Sequence, residues 1–183
     1  MFKSRLLVAS FVIFACWILT FGHAIGLADD AKPTTIEELG KLPVGLKVTH
    51  DPNPALATET SKSERRSKYT WWFKTTVAST GQDVKVVEFG AYVWNNDKWV
   101  FASFTGKPFS SKDFAEWYFC PDALVKEGKA YTDPTNWGSG PELTAGKARW
   151  YYIGINGKGE RLKGEAVIEQ KGAIDPKRPK DNK

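Results

Sequence analysis

Tyr69-Thr70-Trp71-Trp72-Phe73-Lys74-Thr75-Thr76-Val77-Ala78 decides the fold class. Tyr69, Trp71, Phe73, Thr75 and Val77 alternate with Thr70, Trp72, Lys74, Thr76 and Ala78, and a period of two is the mark of a β-strand. Ser79-Thr80-Gly81-Gln82 reads as a turn, and residues 83–94 as a second strand whose pattern slips. Val84 and Val86 share one face there, while Val87, Phe89, Ala91 and Val93 occupy the other. The slip predicts a β-bulge near Val86-Val87, or burial on both faces. Asn95-Asn96-Asp97 makes a tight turn, and residues 98–104 return as a third strand, completing a meander.

One helix follows, near 111–119. Ser110 or Ser111 caps it, Asp113 suits its positive N-terminus, and Phe114, Trp117 and Tyr118 fall on one face before Pro121 ends it. Residues 122–146 read as loop, with a short strand at 129–132. The chain closes with a hairpin, in which 147–156 and 160–170 flank the glycine-containing loop Gly157-Lys158-Gly159. Upstream, 29–68 reads as a lead-in. Thr35–Leu42 has the residues for a capped helical turn or two, 46–50 for a short strand, and 51–68 for a polar, proline-punctuated linker. The prediction is a mostly β domain over 69–170, either an antiparallel β-sandwich of broadly immunoglobulin-like architecture or an open barrel, with one short inserted helix. Residues 171–183 are read as a basic, unstructured tail.

The first 28 residues bear on location. Lys3 and Arg5 precede an apolar run, Leu6–Phe21, and small residues then offer cleavage after Ala24, Gly26 or Ala28, the layout of a secretory signal. Cleavage after Ala28 is expected, because Asp29-Asp30 follows it. The alternative is an uncleaved membrane anchor over residues 6–28, since the run approaches the ~20 residues of a span. A lipid-bearing Cys16 is disfavoured, because Trp17-Ile18-Leu19 continue the apolar run past it. The expected destination is the periplasm, the cell surface or the exterior.

Charge excludes a further class. The net charge of +5 comes from the ends, because Lys3 and Arg5 lie in the leader and 171–183 carries five basic groups against two acidic ones. Of the 26 basic and 21 acidic residues, 19 of each remain in 29–170, which is therefore neutral. A neutral domain lacks the clustered basic face that nucleic-acid binding requires.

Catalytic signatures are absent. His50 is the sole histidine after the leader, so multi-histidine metal centres are excluded, and neither a Walker loop nor a dinucleotide fingerprint is present. Asn136-Trp137-Gly138-Ser139-Gly140-Pro141 reads as a turn. Cys120, the one thiol beyond the leader, sits at a helix C-terminus beside Asp122, where both partial charges oppose a thiolate; it is read as a small buried residue. Glu88, mid-strand, is read as facing solvent. The Asp133, Asn136 and Glu142 oxygens match no calcium loop. No metal or cofactor is expected.

Aromatic residues carry the positive signal. Seven tryptophans lie beyond the leader, and each buries ~150–250 Å² when internal. Trp71 and Trp72 are adjacent on a strand and must point to opposite faces. The sequence therefore predicts an exported, non-catalytic binding or accessory domain of the cell envelope. It would recognise a protein or a glycan through Trp137, Tyr131 and whichever of Trp71 and Trp72 faces out. The alternatives are a thiol-dependent enzyme or redox or metal protein built on Cys120, and an anchored structural envelope protein.

Overall fold

The second predicted strand proves to be the backbone of the molecule. A computed structural model describes residues 32–60, 67–178 and 180–181. The leader read at 1–28, Cys16 included, lies outside these residues, as does 61–66 of the expected linker. In chain order the elements are α1 (Ile36–Lys41), β1 (Leu46–Asp51), β2 (Ala55–Thr60), β3 (Tyr69–Ser79), β4 (Val84–Asn95), β5 (Lys98–Ala102), β6 (Phe109–Ser110), α2 (Ser111–Trp117), β7 (Leu124–Val125), β8 (Ala130–Gly140), β9 (Gly146–Asn156), β10 (Arg161–Ile174) and β11 (Lys180–Asp181).

All eleven strands belong to one sheet that runs from β8 through β3, β1 and β2, β10, β9 and β4 to β5. Strand β8 lines one edge of β3; β1 and β2 share the other, beside Lys74–Ser79 and Tyr69–Trp71 respectively. Strand β9 lines one edge of β4, and β7, β6 and β5 succeed one another along its far edge. The pairing is antiparallel except where β2 runs parallel to β10 and β11. The sheet curls into an open barrel whose unpaired margins are β8 and β5–β7.

The bulge predicted in β4 is present, as a register shift between Val86 and Glu88 against β9. It gives β4 two buried faces. Inward, Phe89 stacks on its cross-strand partner Tyr152, with ring centroids 5.6 Å apart and planes 4° from parallel. Helix α2 supplies Phe114, Trp117 and Tyr118, whose rings surround Phe89 at 5.8, 5.4 and 6.0 Å. Each such pair contributes roughly 0.5–1.5 kcal/mol beyond area burial. The helix starts where expected, with a capping box between Ser110 and Asp113.

Outward, α1 lays Leu39 on Tyr92, Tyr151 and Ile153 to form a second, smaller core. Gly90 makes room for it: a Cβ there would lie 3.0 Å from Tyr151 Cε1 and 3.1 Å from Phe101 Cε2. Glu88 also points to this side but does not face solvent as expected. Its carboxylate accepts bonds from the Thr34 amide (2.8 Å), the Thr34 hydroxyl (2.9 Å) and the Tyr151 hydroxyl (2.8 Å). Tyr92 in turn donates to the Thr34 carbonyl at 2.7 Å.

Three boundaries differ from the sequence reading. Ala55–Thr60, read as linker, is strand β2 with Ala55 and Ala57 fully buried, so the folded unit begins near Thr34 rather than at Tyr69. Residues 171–174, read as tail, continue β10. Residues 130–140, read mostly as loop and turn, form the eleven-residue strand β8. Its Pro134 falls where the register with β3 shifts and on the side without a partner strand, the place a strand tolerates proline.

Glu88→Ala strands three donors at the outer core. Unfolding in urea should show a loss of about 2–3 kcal/mol, and amide exchange should accelerate across α1 before the β4–β9 ladder. Unchanged exchange in α1 would remove Glu88 from the docking of the lead-in.

Candidate functional site

Where the barrel fails to close, a cleft of about 810 Å³ opens between its two margins. This lies within the 300–1,000 Å³ range of small-molecule sites. Phe73 and Trp150 meet edge to face in its floor, 6.5 Å apart. Trp137 of β8 forms one wall. Phe104, from the loop after β5, with Phe109 and Trp117 forms the other, and the Phe104 ring stacks on Trp117 at 6.4 Å and across the gap on Trp137 at 6.1 Å. At the mouth stands Phe119, 75% exposed.

Phe119 is unusual in its backbone as well. It follows Tyr118, the C-cap of α2, with φ +51°, the left-handed conformation that helix ends normally give to glycine. For a residue bearing a Cβ this costs roughly 1–2 kcal/mol. A strained, solvent-exposed phenylalanine is not placed by packing, and backbone strain of this kind collects at functional sites.

Polar groups sit among the rings. Asp133 is buried, which raises its carboxyl pKa against the lowering effect of the Thr135 amide, 2.9 Å from Oδ1. Beside it the Asn136 amide donates to the Thr75 hydroxyl at 2.8 Å, and its Oδ1 accepts from the Trp137 amide at 2.8 Å. Thr75 is also 3.0 Å from His50 Nδ1, while His50 Nε2 faces the Ala166 carbonyl at 3.4 Å. Burial pushes the imidazole down to about 4, despite the Ala166 contact. The ring is therefore neutral near pH 7 and protonated at Nε2, the nitrogen facing a carbonyl. The chain His50–Thr75–Asn136 fixes the cleft floor from behind.

Of the residues expected to bind a ligand or to act as a thiol, Trp137 alone lines this cleft. Trp71 belongs to the core, its Nε1 donating to the Lys171 carbonyl at 2.8 Å. Trp72 is half-buried, with the Arg178 guanidinium 5.8 Å from its ring centroid. Tyr131 is buried, with the Lys129 ammonium 4.8 Å from its ring. Cys120 is fully buried, and burial pushes its thiol up to about 11 against the opposing influence of Tyr131. Both His50 ring nitrogens are engaged, by Thr75 and Ala166. Among the described residues no group of three or more His, Cys, Asp or Glu side chains converges as a metal site.

Sequence reasoning missed Phe104 and Phe119, and weighed Asp133 and Asn136 only as oxygens for calcium. Phe119 carried a signal: it falls off the 114–117–118 stripe, at a position flanked by helix-ending residues. The other three sit in stretches whose Gly, Pro, Asp and Asn content reads as loop.

No family model matches the chain, and no curated protein matches it. A solved structure of a Bordetella pertussis protein described as ApaA is similar over 74% of this chain and 98% of that one, at 14% identity and a TM-score of 0.43, a likeness too distant to carry function.

The His50 pKa makes a prediction about stability. The folded value, about 4, lies below the ordinary 6.5, so the unfolded chain takes up the proton first as pH falls. Stability contributed by neutral His50 is complete above about pH 6.5 and declines toward pH 4, by about 3 kcal/mol in all. His50→Gln should flatten the urea midpoint over that interval relative to the parent chain. An identical pH slope in both proteins would overturn the assignment.

Proposed function

We propose that the chain is an exported, non-catalytic binding module of the cell envelope whose cleft holds a glycan. The observation that carries this is the concave, aromatic-walled cleft with a few buried polar groups. Flat rings such as Trp137 and Trp117 offer an apolar contact to the C–H face of a sugar. Asp133, Asn136 and Gln170 offer hydrogen-bond partners to its hydroxyls. A protein partner has less support, since a concave site of this size suits a small ligand better than a protein face.

The alternatives have less support. A thiol enzyme needs an accessible thiolate, and Cys120 is buried and protonated at neutral pH. A structural role for the basic end loses part of its basis, because 171–174 is strand and Arg178 lies over Trp72. Among the described residues no helix is long and apolar enough to cross a membrane. Export or anchoring therefore rests on residues 1–28.

Retention on insoluble envelope polysaccharide from the host tests the proposal. Trp137→Ala should weaken retention by at least about tenfold, equivalent to 1.4 kcal/mol, with the thermal midpoint nearly unchanged. Phe119→Gly should weaken retention too, yet raise stability by about 1 kcal/mol, because it relieves the left-handed backbone. Full retention by the Trp137 variant would sink the assignment.

A further inference from the structure

The tryptophans differ in whether the chain sets a cation over the ring. Trp72, Trp94 and Trp99 have Arg178, Lys147 and Arg149 at 5.8, 4.3 and 4.6 Å from their centroids. Tyr69 and Tyr131 have Lys68 and Lys129 over them in the same way. Trp117, Trp137 and Trp150 line the cleft, and no Lys or Arg among the described residues lies over any of the three.

The charge of the cleft follows the same division. Its lining includes two carboxylates, Asp133 and Glu116, and no lysine, arginine or histidine among the described residues. Lys107 and Lys112, the basic residues nearest along the chain to its walls, are exposed and outside the lining. Ala148 of β9 lines the cleft, so alternation turns its neighbours Lys147 and Arg149 to the other face. Asp133 is 6% exposed and makes no ion pair among the described residues. Its bonds come from Thr135 alone, the amide at 2.9 Å and the hydroxyl at 3.4 Å, and both go to Oδ1. Glu88, the other carboxylate drawn into the fold, has donors on both of its oxygens. Burying a carboxylate without a counter-charge is costly, and the pKa of Asp133 rises accordingly, burial outweighing Thr135. Oδ2 is left to a group from outside the chain.

We infer that the ligand of the cleft carries a positively charged ammonium group, held by the ring faces and balanced by Asp133. An aromatic face presents the negative part of the ring's quadrupole, and aromatic-lined sites take up ammonium groups through it, more strongly as water is excluded. The class of ligand rests on the glycan reading above: it is a glycan containing amino sugars whose amines are free rather than acylated. A neutral sugar would satisfy the rings and leave Asp133 without a counter-charge. An acidic one would bring like charges together.

The test titrates the full chain calorimetrically with an oligosaccharide of N-trimethylated glucosamine, whose charge does not depend on pH, and with its N-acetylated counterpart of equal length. The charged oligosaccharide should bind about tenfold or more tightly, and Asp133→Asn should bring that ratio close to one. Asparagine keeps the Oδ1 acceptor for Thr135. Should that variant fail to fold, Glu116→Gln, at an exposed position of α2, should lower the ratio about twofold. Equal affinity of the parent chain for the two oligosaccharides would overturn the inference and leave the glycan reading standing. So would a preference that survives both substitutions together, because the charge would then be read elsewhere. Choline supplies the converse arm: its binding, with neither oligosaccharide bound, would uphold the ammonium and remove the glycan. Binding of none of the three would overturn both.

Discussion

Adjacent residues Glu88 and Phe89 serve two different cores, and the rest of the molecule is arranged around that fact. A regular strand alternates a buried face with a wet one. The bulge after Val86 lets β4 bury both, with Phe89 inside the barrel against Tyr152 and α2, and Glu88 outside against Thr34 and Tyr151. The inner arrangement is apolar and stacks rings. The outer one is held by charge-assisted hydrogen bonds, which are stronger than neutral ones and leave no buried donor unmet. Strand β9 responds in kind, with Tyr152 turned inward and Tyr151 outward. The segment around Thr34 and α1 is thereby made part of the fold.

The cleft follows from what this arrangement leaves undone. The strands along the far edge of β4 are short, and β8 at the other margin is bent by its Pro134 bulge, so the sheet stops before it closes. Helix α2 and the loop bearing Phe104 fill the gap only in part. The remaining aromatics are left half-covered, and Phe119 is held out by a backbone conformation that a stable helix end would give to glycine. Stability is sacrificed where a solvated ring stands at the mouth of the cleft. Behind the floor, buried His50 and Thr75 hold Asn136 in one orientation, which is the kind of support a binding site needs if it is to stay formed when empty.

Much of the fold was legible in the residues. The alternation at 69–78, the slip at Val86-Val87, the helix start at Ser110 or Ser111 with its 114–117–118 stripe and the closing hairpin are all local patterns, and each has its counterpart in the structure. Strands β2 and β8 were hidden for a common reason. Their alanines, glycines, Asp133, Asn136 and Pro134 have low strand propensity, and pairing with β3 and β10 overrides it. As an aromatic binding surface, the candidate site was legible only at Trp137. Trp71 and Tyr131 are as aromatic as Trp137, and only tertiary packing decides which ring is covered. Glu88 is the same case for charge: its partners, Thr34 and Tyr151, lie 54 and 63 residues away, a separation that no local pattern encodes.

The central claim is that the incomplete closure of the barrel is a binding site. An amide NMR titration of the protein with soluble fragments of its host's envelope polysaccharide addresses it most directly. The account predicts saturable shifts in three segments that meet only at the cleft: Ser103–Thr105, Trp117–Phe119 and Asn136–Ser139. Saturable shifts elsewhere on the sheet, with those three segments unmoved, would contradict it.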